Sequence, residues 1–254
     1  MKLLRLLYVI YVCLIAMPLF VVATIVLGLT MTVGCLLGNS RIFAYYPGVW
    51  WSRIGLFLSL CRIEVRGKEN YDRSRGPYVV MANHQGAFDI LMMYGYLQIP
   101  FKWVMKHELR RTPFVGKACE AAGFIFVNDR SPANIKQSMI SAKETLTDGQ
   151  SIFIFPEGSR TLDGRMGRFK KGGFLMAQEL GIPIIPVSIS GSYETLRAGA
   201  RIPHPYKLHL QVHPPIYMSE FASQEKPIEA MRDKVAKVIA SAVEEEKKYN
   251  LSDK

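Results

Sequence analysis

The stretch PYVVMANHQGAFDILMMYGYL, residues 77–97, decides the fold class because it joins an apolar run to a polar loop and then to a helical pattern. The run YVVMA is short and bounded by proline and asparagine, as in a buried strand. Helical patterns occupy residues 87–97, 133–147, 170–181 and 226–248. Six further runs have strand character: RIEVRG (62–67), FKWVMK (101–106), GFIFVN (123–128), SIFIFP (151–156), IPIIPVSIS (182–190) and KLHLQVH (207–213). This alternation predicts an α/β fold with a mixed, largely parallel sheet flanked by helices.

The N-terminal segment is too apolar for an ordinary soluble helix, since no charged residue occurs between Arg5 and Arg41. A span needs about 20 apolar residues, and two spans with a turn need more than this segment offers. We therefore predict a membrane-embedded helical hairpin, with Pro18, Gly28 and Gly34 as candidate bends, and keep a single tilted span as the alternative. Positive charges on both flanks place both ends on the cytoplasmic side.

The composition predicts an anchor followed by one folded domain. Aromatic residues at 45, 46, 50 and 51 resemble an interfacial belt, so residues 1–60 are the expected anchor, with an interfacial helix, and residues 61–254 the α/β domain. The net charge of +11 indicates an anionic partner such as nucleic acid, a phosphorylated substrate or an anionic bilayer surface. The four cysteines show neither zinc-site spacing nor a disulfide framework.

His84 and Asp89 lie where a predicted strand ends, and polar residues there often form sites in α/β sheets. With His84 in the loop and Asp89 in the first helical turn, the carboxylate can fold back to one imidazole nitrogen and leave the other to accept a proton. Such a dyad lacks its own nucleophile, so the substrate would bring the hydroxyl. The alternative is turn chemistry, with Asn83 and Asp89 as helix caps and His84 bonded to a carbonyl.

A second polar turn, FPEGSRT at 155–161, follows another apolar strand. Its Glu157 and Arg160 suit a polyol phosphate, because a carboxylate accepts hydroxyl hydrogens and a guanidinium pairs with phosphate oxygens. The following GRMGRFKKGG, residues 164–173, is basic and glycine-rich but is not a P-loop, because Gly173 replaces the required lysine. It is either an anion site or a solvated basic loop.

No metal site is expected from the spacing of the ligand-type residues. His209 and His213 lie on one face of a predicted strand, but with no nearby carboxylate in sequence we expect a solvent-facing pair.

Together these motifs resemble those of the glycerophospholipid acyltransferases, especially the 1-acylglycerol-3-phosphate acyltransferases. NHQGAFD matches Asn-His-x-x-x-x-Asp, FPEGSRT matches Phe-Pro-Glu-Gly-Ser/Thr-Arg, and IPIIPV matches the fourth signature. The stretch KHELRRTPFVGKACEAAGFIFV also resembles the segment before the second signature. In that signature, GFIFVNDR has one extra residue between Gly123 and Arg130. The resemblance covers about residues 60–220.

The resemblance implies an enzyme that moves an acyl group from an acyl thioester, carried by coenzyme A or a carrier protein, to the sn-2 hydroxyl of 1-acylglycerol 3-phosphate. Phosphatidic acid would result. His84 would be the base and Asp89 its orienting partner. The implied substrate-binding residues are Glu157, Gly158, Arg160, Arg130 and Lys106. No cofactor, metal or nucleic acid is implied.

The expected partners are the thioester donor and membrane lipids, namely lysophosphatidic acid and an anionic bilayer surface. We expect a membrane location, in a bacterium the inner membrane, with the active site on the cytoplasmic face. The alternative acceptor is another lysophospholipid or an aminolipid precursor. A rival from another class is a non-catalytic, membrane-anchored protein that binds lipid or nucleic acid.

Overall fold

A computed structural model describes residues 2–128 and 131–252 of the 254-residue chain. The strands are β1 Arg62–Arg66, β2 Val79–Ala82, β3 Phe101–Lys106, β4 Ile125–Val127, β5 Ser151–Ile154, β6 Ile184–Ser190 and β7 Lys207–Val212. The helices are α1 Lys2–Tyr11, α2 Met17–Leu36, α3 Ser40–Phe43, α4 Tyr46–Leu58, α5 Phe88–Tyr96, α6 Val115–Ala121, α7 Pro132–Thr147, α8 Gly172–Leu180, α9 Ser192–Thr195 and α10 Pro227–Ser252. Short 3₁₀ turns occupy Lys68–Asn70, Arg73–Arg75, His107–Arg111 and Met218–Phe221.

The seven strands form one mixed sheet in the order β1-β7-β6-β2-β5-β3-β4. Neighbours are parallel except β6 and β7, which are antiparallel. Each strand lies within a run predicted from sequence, so the prediction of a mixed, largely parallel α/β sheet is confirmed. The central strand β2 is paired on both sides by parallel strands, and this brings its polar C-terminal loop next to those of β5 and β6.

Helices cover both faces of the sheet. Alternate residues of a strand point to opposite sides, so apolar strands give the sheet two apolar faces that must be buried. Val80, Ala82 and Phe153 pack with residues of α4 and α5 in one apolar cluster. Val79, Met81 and Ile152 pack with residues of α7, α8 and α10 in the other. The four predicted helices are present within two residues of their predicted starts, whereas α6 was not predicted from sequence.

The N-terminal segment is one long helix rather than a hairpin folded within itself. α1 continues through a π-helical turn, Val12–Ala16, directly into α2, and Gly28 and Gly34 lie inside α2 without breaking it. The chain reverses only after Leu36, so α4, the segment predicted as an interfacial helix, forms the second arm. The helix Leu3–Leu36 contains an 18-residue window with a mean hydropathy of 2.7 and is long and apolar enough to cross a membrane.

The long helix and α4 are attached to each other and to the sheet. Trp51 stacks on Phe20 at 5.3 Å, and its indole N–H donates to Thr24 Oγ1 at 2.9 Å. α4 packs closely on α5, where Tyr94 donates a hydrogen bond to the Ala44 carbonyl at 2.6 Å. The Tyr94 ring lies so close to Gly48 that an added Cβ would be 2.3 Å from it. Only glycine at position 48 permits this approach.

We predict that Gly48→Ala destabilises the fold by about 1–3 kcal/mol, because the methyl group must displace the buried Tyr94 ring. The control is Gly172→Ala at the start of α8, where an added Cβ meets nothing within 4 Å. Thermal unfolding of both variants, purified in detergent, measures the difference. Equal melting temperatures for the two variants would contradict the close packing of α4 on α5.

Candidate active site

His84 and Asp89 are in contact at the carboxyl end of β2. His84 lies in the loop after the strand and Asp89 in the first turn of α5, and His84 Nδ1 lies 2.7 Å from Asp89 Oδ2. The same carboxylate oxygen accepts the backbone N–H groups of Gln85 at 2.6 Å and Gly86 at 2.8 Å. These bonds bend the loop around the carboxylate, which is fully buried.

Two contacts fix the orientation of the His84 ring: Asp89 bonds Nδ1 at its edge, and an aromatic ring covers its face. Phe155 stacks on it with ring centroids 3.8 Å apart and an angle of 7°. Because Nδ1 is next to a carboxylate, it carries the proton in the neutral ring, and Nε2 has the lone pair. No described residue hydrogen-bonds Nε2, and the side chain keeps 13% of its surface exposed. The arrangement therefore presents one basic nitrogen toward the solvent side.

Asn83, the residue before His84, is not acting as a helix cap. Its side chain pairs with the backbone of Ile189 on β6, donating to the carbonyl at 2.9 Å and accepting the N–H at 2.8 Å. This pair extends the β2–β6 ladder by one side chain. The loop that carries His84 is therefore attached to β6 at its beginning.

Glu157 joins three parts of the site through its carboxylate. Oε1 accepts the N–H of His84 at 2.7 Å, and Oε2 accepts the N–H of Gly167 at 2.6 Å. Burial raises the pKa of Glu157 above its usual range, while the amides of Gly167 and His84 act in the opposite direction. Its predicted contact with substrate hydroxyls stays a prediction, and such hydroxyls would have to share oxygens that already accept amides.

Two further backbone bonds fasten the loop after β5 to this centre. Thr161 N–H donates to the His84 carbonyl at 2.9 Å, and Lys170 N–H donates to the Pro156 carbonyl at 2.8 Å. Gly158, with φ of +78°, lies under the Lys170 side chain, so a side chain there would be strained and crowded. The loop after β5 therefore folds back over the carboxyl end of that strand and is hydrogen-bonded both to itself and to the His84 loop.

Inside this loop lies a cleft of about 310 Å³ with a cationic lining. Arg160, Arg165 and Arg168 line it, together with Glu157 and Asp163. The three guanidinium groups are exposed, and Arg165 forms a long ion pair of 3.9 Å with Asp163. Such a lining favours a ligand with a phosphate group. Whether the basic loop is an anion site or a solvated loop stays open, because its arginines are exposed.

The remaining predicted substrate residues are not all at this cleft. Lys106 is exposed at the carboxyl end of β3, two strands away from β2, and does not line the cleft. In the basic loop, which was predicted as either an anion site or a solvated loop, Lys170 lies over Gly158 and Lys171 pairs with Glu229 of α10 at 2.5 Å. Arg130 falls outside the described residues, so its role stays a prediction.

The prediction that His209 and His213 form a solvent-facing pair without a nearby carboxylate is wrong. Both rings are buried, because α10 covers that face of β7. His209 Nδ1 lies 3.0 Å from Glu246 Oε2, and His213 Nε2 lies 2.8 Å from Ser188 Oγ. Burial lowers the pKa of both histidines. Among residues 2–128 and 131–252, no group of three or more His, Cys, Asp or Glu is placed to hold a metal ion.

Phe155 and Ser192 are site residues that sequence reasoning missed. Phe155 stacks on His84, and its position at the end of β5, opposite the end of β2, was the available signal. Ser192 is fully buried beside Gly86, where an added Cβ would be 2.7 Å from its Oγ. No sequence pattern indicated this contact, since it depends on how α9 packs against the His84 loop.

Comparison with known proteins points to one family. Residues 62–190 match the family model described as Acyltransferase. A 1-acyl-sn-glycerol-3-phosphate acyltransferase of Borreliella burgdorferi is 32% identical over 187 residues, which cover 73% of this chain and 74% of that protein. The chloroplastic enzyme of that name from Brassica napus is 30% identical over 181 residues, 71% of this chain and 52% of its own length. The chain therefore spans about half the length of the plant relatives it matches.

A solved structure shares the whole fold. The crystal structure of the 1-acyl-sn-glycerophosphate acyltransferase PlsC from Thermotoga maritima superposes with a TM-score of 0.79 at 28% identity. The superposition covers 97% of each chain. The similarity therefore includes the N-terminal helices as well as the sheet.

We predict that Glu157→Gln loosens the loop after β5, because an amide side chain has one acceptor oxygen and leaves either His84 N–H or Gly167 N–H without a partner. Hydrogen exchange at these two amides should become about tenfold faster or more, as expected for a loss of about 1–3 kcal/mol. The matched control is Glu229→Gln, which removes only the half-exposed pair with Lys171. Unchanged exchange at both amides in Glu157→Gln would show that the carboxylate does not fasten the loop.

Proposed function

Because the chain belongs to the acyltransferase family, we propose that it transfers an acyl group from an acyl thioester to the free sn-2 hydroxyl of 1-acylglycerol 3-phosphate, giving phosphatidic acid. One observation carries the proposal. His84 has Nδ1 on a buried carboxylate and an Nε2 that no described residue hydrogen-bonds, and its loop is bonded to the loop that forms an arginine-lined cleft. The names of the relatives support the choice of acceptor.

The proposed reaction uses His84 first as a base and then as an acid. Nε2 takes the proton of the lipid hydroxyl as the oxygen attacks the thioester carbonyl carbon. The resulting imidazolium is stabilised by Asp89 through Nδ1, as in a catalytic triad whose nucleophile comes from the substrate. When the tetrahedral intermediate collapses, the C–S bond breaks and the Nε2 proton passes to the departing thiolate. The products are an ester and a free thiol, and no acyl-enzyme forms.

The cleft would position the acceptor through its phosphate. Arg160, Arg165 and Arg168 present guanidinium groups that bind phosphate oxygens in pairs, and they lie on the loop bonded to His84 through Glu157 and Thr161. Binding the phosphate there would fix the distance from the hydroxyl to Nε2, which raises the rate by orientation. Lys106 and Arg130 remain proposed helpers in acceptor binding. Coenzyme A and carrier-protein thioesters are both candidate donors.

The long N-terminal helix would hold this site at a bilayer, where a lysophospholipid lies. Its outer face exposes large apolar side chains from Leu3 to Leu37, and α4 adds Trp50 and Phe57, which is 77% exposed. An apolar surface of this size favours burial in lipid over contact with water. We propose a membrane location with the catalytic cleft on the cytosolic side, where thioester donors are made, and in a bacterium this is the inner membrane.

We predict that His84→Ala lowers kcat/KM for acyl transfer to lysophosphatidic acid about 10³-fold, because the base is lost. Purified protein in detergent is assayed by thiol release, with acyl-coenzyme A and acyl-carrier protein as donors. His107→Ala is the matched control and should keep the wild-type rate. Loss of acyl transfer in both variants, or in neither, would contradict the assignment of the base. If acyl transfer occurred only to a different lysophospholipid or an aminolipid precursor, the proposed reaction would stand but the proposed acceptor would be wrong.

We predict that Arg160→Gln raises KM for lysophosphatidic acid about tenfold or more while KM for the thioester stays within twofold, since the acceptor's phosphate is the group proposed to bind at this cleft. Arg75→Gln, on a turn at the opposite end of the sheet, makes the same charge change and should leave both constants unchanged. An equal rise in both KM values would place Arg160 on the donor instead.

A further inference from the structure

A second cleft, of about 250 Å³, lies between α1 and the loop that follows α9. α1 contributes Arg5, Tyr8 and Val9, and the loop contributes Arg201, Ile202 and His204. It shares no lining residue with the cleft beside His84. The acyl-transfer reaction proposed above assigns it no role.

The walls of the second cleft are attached to the folded domain on both sides. Tyr8 donates its hydroxyl hydrogen to the Ser59 carbonyl at 3.1 Å, which fixes α1 against the end of α4. On the other side, His204 N–H donates to the Thr195 carbonyl at 2.7 Å, and the Cys61 thiol lies 3.8 Å from the His204 carbonyl oxygen. The cleft is therefore a feature of the folded chain and not a gap beside a loose helix end.

The charge of the second cleft is unbalanced. Arg5 and Arg201 are among the described residues that border it, and none of those residues is acidic. Within the described ranges neither arginine forms an ion pair with a carboxylate, whereas Arg66, Arg75 and Arg110 all do. Arginine pairs readily with phosphate oxygens, so an anionic headgroup is the complementary ligand.

Apolar side chains adjoin the charged ones. Leu4 on α1 is 73% exposed, and Leu60, the residue after Ser59, is 53% exposed with φ of +57°. Val9 and Ile202 line the cleft itself. A ligand that neutralises the arginines and also covers these residues must be an amphiphile. A free phosphate would leave the apolar rim in water.

Strand directions place the second cleft at the catalytic end of the sheet. β1 runs antiparallel to β2, because β1 is parallel to β7, β7 is antiparallel to β6, and β6 is parallel to β2. The start of β1, next to Leu60, therefore lies at the same end as His84. Both clefts and the exposed face of α1 then lie where one bilayer surface can meet them.

We propose that this second cleft binds the phosphodiester headgroup of an anionic diacyl phospholipid, separately from the acceptor. Arg5 and Arg201 pair with the phosphate, and the acyl chains lie along the exposed leucines of α1. The bound lipid also joins α1 to the loop that follows α9. Ser192 of α9 packs against Gly86 in the His84 loop. The proposal does not depend on the acyl-transfer reaction, because a diacyl phospholipid has no free sn-2 hydroxyl.

The test is native mass spectrometry of the full chain in a non-ionic detergent, titrated with phosphatidylglycerol and, separately, with phosphatidylcholine. We expect the wild type to retain phosphatidylglycerol preferentially. Arg5→Gln and Arg201→Gln should each bind it about tenfold more weakly, since each loses one charge-assisted pair. Arg201→Lys should recover part of the binding because the charge is restored.

Two controls separate this site from the catalytic cleft and from net charge alone. Arg160→Gln and Arg75→Gln make the same charge change elsewhere and should bind phosphatidylglycerol within twofold of the wild type. Equal weakening in all four glutamine variants would overturn the proposal, because a diffuse charge effect would then suffice. Wild-type binding in Arg5→Gln and Arg201→Gln, or equal retention of phosphatidylcholine, would overturn it as well. His84→Ala should bind phosphatidylglycerol as the wild type does, so the lipid-binding result can be interpreted even if the protein shows no acyl transfer.

Discussion

The parallel pairing of β2 with β5 is the constraint on which the rest of the site depends. Met81 lies opposite Ile154, so the two polar loops begin at the same level of the sheet. Only this register brings the His84 amide within 2.7 Å of the Glu157 carboxylate and the Phe155 ring onto the imidazole. A slip by one residue would turn these side chains to the opposite face of the sheet.

The attachment of the His84 loop to β6 also explains why a buried carboxylate is tolerated at position 89. A charge removed from water is costly unless hydrogen bonds replace its solvation. Asp89 Oδ2 accepts two backbone amides and faces the imidazole, and the loop geometry that supplies them depends on Asn83 joining β2 to β6. Orientation of His84 is thus a consequence of the sheet, not of two side chains alone.

The N-terminal helix is part of the same body as the sheet. Met31 and Cys35 of α2 belong to the apolar cluster that includes Val80 and Phe153 of the sheet. One side of the helix is therefore packed as in a soluble core, while the other side exposes a continuous apolar face. The exposed apolar face of the helix is therefore held in a fixed position relative to the sheet.

The sequence by itself determined the order of strands and helices, the two polar loops and the apolar N-terminus, because periodicity, turn residues and hydropathy are local properties. It also indicated that Asp89 could fold back to His84, since their spacing spans a loop and one helical turn. Only the tertiary structure decided that the chain turns back after Leu36, so that α4 packs against the long helix. It also decided that α10 buries His209 against Glu246. The tertiary structure likewise decided that Phe155 stacks on His84 and that both carboxylate oxygens of Glu157 accept backbone N–H groups. These contacts join residues far apart in the chain, and their partners depend on strand register and helix packing, which no local pattern records.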